Sequence, residues 1–115
     1  MHIDSYAFGR VTIDGREYGS DLIILNGTVR APWWRQAGGH VFAPEDVAEV
    51  IAAAPEVVLL GTGYLGMVQV RAETVAALEA AGATVVADRT SRIVGEFNRV
   101  ASEGRDVAAC LHLTC

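Results

Sequence analysis

Three glycines and a following aspartate have the spacing of a dinucleotide-binding site. Gly61, Gly63 and Gly66 come directly after the apolar run 57–60 and spell G-x-G-x-x-G. Asp88 stands about 20 residues beyond them, at the end of a predicted strand, where an acid would bind a ribose hydroxyl. In such sites the glycines let the backbone approach a pyrophosphate closely. The spacing therefore raises NAD(P) binding as one hypothesis.

The residues after the glycines argue against a dinucleotide. Residues 67–70 are predicted to be extended, so the next helix begins too late for its N-terminus to meet a pyrophosphate. The chain is also too short for a second nucleotide-binding half and a substrate domain. We therefore expect no NAD(P) binding and assign no cofactor. Two alternatives stay open: Gly61 and Gly63 permit a tight turn, or the loop binds a small anion through unpaired N–H groups that point outward.

Several residues are candidates if the loop binds a ligand: Gly61, Thr62, Gly63, Tyr64, Asp88, Asn98 and Arg105. The polar ones each have a structural alternative. Asp88 precedes Thr90 and is expected to cap the third helix. Asn98 lies on that helix and is expected to satisfy a backbone carbonyl. Arg105 follows the helix-ending Gly104, so it donates either to the terminal helix carbonyls or to an anion.

A second candidate region is the segment Trp33-Trp34-Arg35. Tryptophan and arginine dominate the residues that carry binding energy at protein interfaces. One tryptophan is nevertheless expected to cover the core between the hairpins and the sheet. We predict that Trp34 is the core residue and Trp33 the partly exposed one, so the partner-binding candidates are Trp33 and Arg35.

The remaining chemistry-bearing residues match no known arrangement. His40 and His112 have no metal-ligand spacing, so no metal site is predicted, and His112 is expected to be a hydrogen-bonded strand histidine. There is no Ser-His-Asp order and no G-x-S-x-G, so no catalytic residue is assigned. Cys110 and Cys115 have opposite parity if the chain end is extended, which favours free thiols and a buried Cys110.

Composition limits the class of protein. The 115 residues are one predicted domain, 1–115, and 51% of them are hydrophobic. The net charge is −5, which argues against nucleic acid as the main partner. No apolar run approaches the ~20 residues of a membrane helix, and the first residues contain no signal-peptide core. The expected location is therefore cytoplasmic, and homo-oligomer formation is left open.

The predicted elements are β-hairpins followed by alternating helices and strands. Asp14-Gly15 and Asn26-Gly27 mark hairpin turns, and Gly9 marks a bulge. Pro44 opens a helix that Pro55 closes, and the run 57–60 is a strand buried on both faces. Helices near 72–81 and 93–101 then alternate with strands near 84–87 and 107–113. This order predicts an α/β domain with a parallel or mixed sheet and helices packed on it.

The most distinctive stretch is the end of the chain, residues 104–115, with its Leu-His-Leu-Thr-Cys sequence. Together with other positions, it resembles a family of small domains of unknown biochemical activity that includes the mitochondrial complex I assembly factor 3 and the human adipogenesis-associated domain protein. Those positions are Asp21-Leu22-Ile23-Ile24, Trp34, His40, Glu45-Asp46, Gly61-Thr62-Gly63 and Asn98. The resemblance implies a three-layer α/β domain, with a central mixed sheet, helices packed on it and an extra N-terminal β-hairpin layer. It implies no reaction.

Two functions from different classes follow. The leading hypothesis is a non-enzymatic protein-interaction or assembly-factor-like domain with a protein partner. The alternative is a small-ligand-binding domain or enzyme that uses the loop from Gly61 to Gly66 for an anion or nucleotide. An exposed apolar patch around Trp33 beside an empty loop favours the first, and a ligand bound at the loop favours the second.

Overall fold

The computed structural model describes all residues, 1–115, as ten strands, three helices and a 3₁₀ turn. The strands are β1 (Ile3–Ala7), β2 (Arg10–Ile13), β3 (Arg16–Tyr18), β4 (Leu22–Leu25), β5 (Thr28–Arg30), β6 (Val41–Phe42), β7 (Val57–Thr62), β8 (Gln69–Val70), β9 (Thr84–Asp88) and β10 (Val107–His112). The helices are α1 (Ala48–Ala53), α2 (Ala72–Ala80) and α3 (Thr90–Ser102), and the 3₁₀ turn Pro44–Val47 runs into α1.

The central sheet has five strands in the order β5-β4-β10-β7-β9. β7 is parallel to both of its neighbours, β10 and β9, whereas β4 is antiparallel to β10. All six residues of β7 are buried. The prediction of a doubly buried strand in a mixed sheet is therefore confirmed, because an apolar run without alternation must be covered on both faces.

Each face of the central sheet carries its own core. Val57 and Leu59 pack on one face with α3 and with the three-stranded N-terminal sheet β1-β2-β3. Val58 and Leu60 pack on the other face with the 3₁₀ turn, α1 and α2. Alternate residues of a strand point to opposite faces, so one short run supplies both cores. The predicted fold, a mixed sheet with helices and an added N-terminal hairpin layer, is confirmed.

The N-terminal sheet is tied to α3 by one side chain. Asn98 Oδ1 accepts from the Ile3 N–H at 2.8 Å, and Asn98 Nδ2 donates to the Ile3 carbonyl at 2.8 Å. The expected structural role of Asn98 is confirmed and extended, because it satisfies both backbone groups. The predicted bulge at Gly9 is wrong: Gly9, with φ +81°, lies in the turn between β1 and β2. The irregular register is at Ile3 and Ser5 instead.

The two cysteines, Cys110 and Cys115, are unpaired. Cys110 is completely buried on β10, as expected, and burial raises the pKa of its thiol to about 12. None of the three helices combines the length and the apolar composition needed to cross a bilayer.

Candidate functional site

A cavity of about 520 Å³ opens at one end of the central sheet, where β4 begins and β10 ends. This volume is in the size range of small-ligand pockets. Its lining includes Asp21, Trp33, Trp34, Arg35, His112 and Thr114. Antiparallel pairing of β4 with β10 sets Leu22 opposite Leu111. Asp21, just before β4, and His112, at the end of β10, are therefore brought together at this end of the sheet.

Asp21 is the centre of the cavity's polar contacts. Its Oδ2 accepts from Arg35 Nη1 at 2.7 Å and from His112 Nδ1 at 2.6 Å. Its Oδ1 accepts from the Leu113 N–H at 2.8 Å. Burial by itself raises the pKa of Asp21, but the hydrogen bonds from His112, Leu113 and Arg35 outweigh it, and the pKa lies below its usual value. The carboxylate is therefore ionised at neutral pH.

Arg35 is held from two sides. Its guanidinium carbon lies 4.8 Å from the centre of the Trp33 ring and 5.2 Å from that of Phe42. Its Nη2 donates to the Gly39 carbonyl at 2.5 Å, while its buried Nε has no hydrogen-bond partner. The Arg35 side chain is only 4% exposed. An arginine at this depth requires its carboxylate partner, because an unpaired buried charge is costly.

His112 links Asp21 to Thr114. The His112 Nδ1 atom lies 2.6 Å from Asp21 Oδ2 and 3.2 Å from Arg35 Nη2. In the tautomer whose Nδ1 donates to the carboxylate, Nε2 is an acceptor. Nε2 lies 3.3 Å from Thr114 Oγ1. The expectation of a hydrogen-bonded strand histidine is confirmed.

The two tryptophans have the opposite exposure to that expected. Trp33 is 8% exposed, whereas Trp34 is 81% exposed. The Trp33 N–H donates to the Asp21 carbonyl at 2.8 Å, and its indole Nε1 donates to the Asp46 carbonyl at 3.0 Å. These two bonds hold Trp33 inward, whereas Trp34 faces outward.

Trp33, predicted to be partly exposed, is buried, and the side chain of Arg35, the other partner-binding candidate, is buried against Asp21. The surrounding segment is fixed by Asp46, whose Oδ1 accepts from the Gln36 N–H at 2.7 Å. Its Oδ2 accepts from the Ala43 N–H at 3.0 Å. Within Trp33-Trp34-Arg35, the side chain presented at the surface is that of Trp34.

The glycine loop has no open row of N–H donors, so that expectation is wrong. The Gly63 N–H donates to Thr90 Oγ1 at 2.9 Å, and the Tyr64 N–H donates to the Thr114 carbonyl at 2.7 Å. The Met67 N–H donates to the Cys115 carbonyl at 2.9 Å. The chain's own last residues and α3 thus take the acceptor places that an anion would occupy.

Geometry favours a tight turn at Gly63. Its φ is +107°, and a Cβ at this position would lie 2.5 Å from the Cys115 carbonyl carbon. Gly61 lies within β7 and does not turn the chain, but a Cβ there would lie 2.9 Å from Thr90 Oγ1. Both glycines therefore allow other parts of the chain to approach closely.

The polar candidates for the loop are not assembled there. Thr62 Oγ1 donates to the Asp88 carbonyl at 3.0 Å, so these two residues are neighbours. The cap predicted at Asp88 is wrong: α3 begins after Arg89, whose N–H donates to Asp88 Oδ1 at 2.7 Å. Arg105 pairs with Glu56 at 3.3 Å, at the opposite end of β7, and binds neither the helix carbonyls nor the loop. Tyr64 is half-exposed.

Sequence reasoning did not identify Asp21, His112 and Thr114 as one site. A signal was nevertheless present, because Asp21 immediately precedes one buried strand and His112 ends another. Polar residues at strand ends gather at sheet edges, yet which ends meet depends on a pairing between residues 91 positions apart.

Comparison with known proteins gives the same fold. The structure named MT938 has 28% sequence identity, covers 99% of this chain and 98% of its own, and gives a TM-score of 0.82. The conserved hypothetical protein PH1505 from Pyrococcus horikoshii has 25% identity over 100% of both chains and a TM-score of 0.86. A Bordetella pertussis protein described as a Mth938-like domain has 22% identity, coverages of 97% and 85%, and a TM-score of 0.70.

A family model also matches nearly the whole chain. The matched residues are 3–112, which span β1 through β10 and include Asp21, Arg35 and His112. The match and the shared fold lead to one identification: the chain belongs to the family described as "Protein of unknown function (DUF498/DUF598)".

Proposed function

We propose that this chain is a protein-interaction domain with an assembly-factor-like role, and that it contacts its partner through the cavity and Trp34. The observation that carries the proposal is an 81% exposed tryptophan beside a cavity of about 520 Å³. Burying a large aromatic side chain in a partner contributes strongly to affinity, and tryptophan is enriched among such anchors. A tryptophan left in water has no comparable role in folding.

The residues around Trp34 support a preformed contact surface. Trp33 is buried by its bond to Asp46, and Arg35 is held by Asp21. Trp34 lies between these two fixed residues, so its backbone needs little ordering when a partner binds. Preorganisation lowers the entropy cost of association. The partner therefore meets a rigid platform with one large side chain on it.

The finer parts of the proposal rest on the resemblance. The family that includes the mitochondrial complex I assembly factor 3 suggests a client in a multi-subunit complex. We place the interaction in the cytoplasm, and the free thiols of Cys110 and Cys115 suit a reducing compartment. The proposed partner is a protein, since the net charge of −5 disfavours nucleic acid.

The test compares capture of partners by three tagged variants in a lysate of the source cells. Trp34→Ala is expected to lose the captured partner while its stability stays within the small range of surface substitutions, about 0.5 kcal/mol. Phe8→Ala is the matched control, because Phe8 is an exposed aromatic residue that does not line the cavity.

Trp33→Ala completes the comparison. Its side chain is buried, so we expect a loss of about 3–5 kcal/mol in the free energy of unfolding. Capture by Trp34→Ala that equals the capture by wild type and Phe8→Ala would contradict the proposed surface.

A further inference from the structure

The cavity contains a cluster of three side chains to which the interaction role assigns no chemistry. Thr114 Oγ1 lies 3.3 Å from His112 Nε2, and His112 Nδ1 lies 2.6 Å from Asp21 Oδ2. A hydroxyl, an imidazole and a carboxylate in contact in this order form the arrangement in which a base activates a nucleophile and an acid orients the base. All three residues line the same cavity.

We propose that Thr114 is a nucleophile that accepts the acyl group of a small activated ester, with His112 as its general base and Asp21 as a positioning residue. This activity goes beyond the interaction role. The chain order, carboxylate then imidazole then hydroxyl, is one in which such triads are built. The separation of 3.3 Å between hydroxyl and imidazole suits a site without substrate, where these contacts are often longer than in the complex.

The surroundings prepare His112 for this role. Asp21 receives hydrogen bonds from Arg35 and from the Leu113 N–H, which fix its carboxylate. In the tautomer whose Nδ1 donates to this fixed carboxylate, Nε2 is able to accept the proton of the Thr114 hydroxyl, 3.3 Å away. His112 is 5% exposed and Thr114 is partly exposed, so the nucleophile is open to the cavity while its base is shielded.

The chemistry balances within the cavity and water. Thr114 Oγ1 attacks the ester carbonyl carbon as its proton moves to His112 Nε2. The bond from that carbon to the alcohol oxygen then breaks, and Nε2 returns the proton to the departing alkoxide. Water next attacks the acyl-Thr114 ester and gives a proton to Nε2, which passes it to Thr114 Oγ1. The products are the acid and the alcohol, and no oxidant or metal is required.

The experiment uses p-nitrophenyl acetate as the probe. The full chain carries Cys115→Ala throughout, because this partly exposed thiol would also react with the ester. We expect release of p-nitrophenolate and an acetyl adduct that peptide mapping places on Thr114. Thr114→Val should lower the release rate about 100-fold, at the lower end of the range for general-base catalysis. Thr114→Ser keeps the hydroxyl and should retain both adduct and rate.

Matched controls separate chemistry from folding. Thr28→Val changes an exposed threonine on β5, away from the cavity, and should leave the rate unchanged. His112→Gln, checked for folding by circular dichroism, should lower the rate about 100-fold. Equal rates in Thr114→Val and Thr28→Val, an adduct on another residue, or no adduct at all would each overturn the proposal.

Discussion

The cavity and the glycine loop lie at the same end of the central sheet, where β7 and β10 end, yet they differ in the open space left beside their polar groups. In the loop, the N–H groups of Gly63, Tyr64 and Met67 bond to acceptors of the same chain. In the cavity, Asp21, Arg35 and His112 also bond to one another, but they border an open volume of about 520 Å³, and Trp34 remains in water. Open α/β sheets tend to bind ligands at this end. The contrast shows that the free space left by the tertiary contacts decides which part of this end is available.

The largest effect is expected from the centre of the cavity. Asp21→Ala leaves Arg35 buried without its carboxylate, and we expect a loss of about 3–5 kcal/mol in the free energy of unfolding. Urea denaturation measures the change. Glu56→Ala is the matched control, because its pair with Arg105 is exposed and should contribute about 0–1 kcal/mol. Similar losses in the two variants would show that the cavity's pair is no more than a surface contact.

The loop should respond through crowding and not through lost ligand binding. Gly63 and Gly82 have similar φ angles, +107° and +104°, but only Gly63 has atoms within 4 Å of an added Cβ. Gly82→Ala should cost about 1–2 kcal/mol from backbone strain alone. Gly63→Ala should cost about 1–3 kcal/mol more, because Cys115 must shift.

Thermal or urea unfolding of the two glycine variants checks this difference. Equal losses would mean that the chain end does not press on the loop. The loop would then be more open than its hydrogen bonds indicate, and the comparison with the cavity would lose its basis.

The smallest effect is the acid dependence of the cavity. The pKa of Asp21 is lowered in the folded chain, so its ionisation stabilises the fold at pH values above the unfolded value of about 3.9. This contribution is lost as the pH falls through the lower, folded pKa. Asp21→Asn cannot ionise, so it should lose less stability than wild type between neutral pH and the acid range. Arg35 and His112 face residue 21 in the wild type and in the variant. If the stability of the two proteins changed in parallel with pH, the contacts assigned to Asp21 would be contradicted.

Much of the fold could be predicted because its signals are local. The apolar run at the start of β7 has no alternation, and the Asp14-Gly15 and Asn26-Gly27 turns have the residue types that hairpins require. Pro44 opens the 3₁₀ turn and Gly104, with φ +74°, follows α3. Each signal involves only a few neighbouring residues, so a single amino-acid sequence is enough to recognise it. Gly9 was misassigned because a bulge and a turn use the same positive φ.

The candidate site depended on contacts between distant parts of the chain. Trp33 and Trp34 are the same residue type in adjacent positions, and only the Trp33 bonds to Asp21 and Asp46 decide which one is buried. The sequence by itself determined the buried strand β7, the hairpin turns at Asp14-Gly15 and Asn26-Gly27 and the glycine turn at position 63. The tertiary structure decided that Asp21 meets His112 and that the last residues fill the loop, because strand pairing joins groups whose separation along the chain leaves no local pattern.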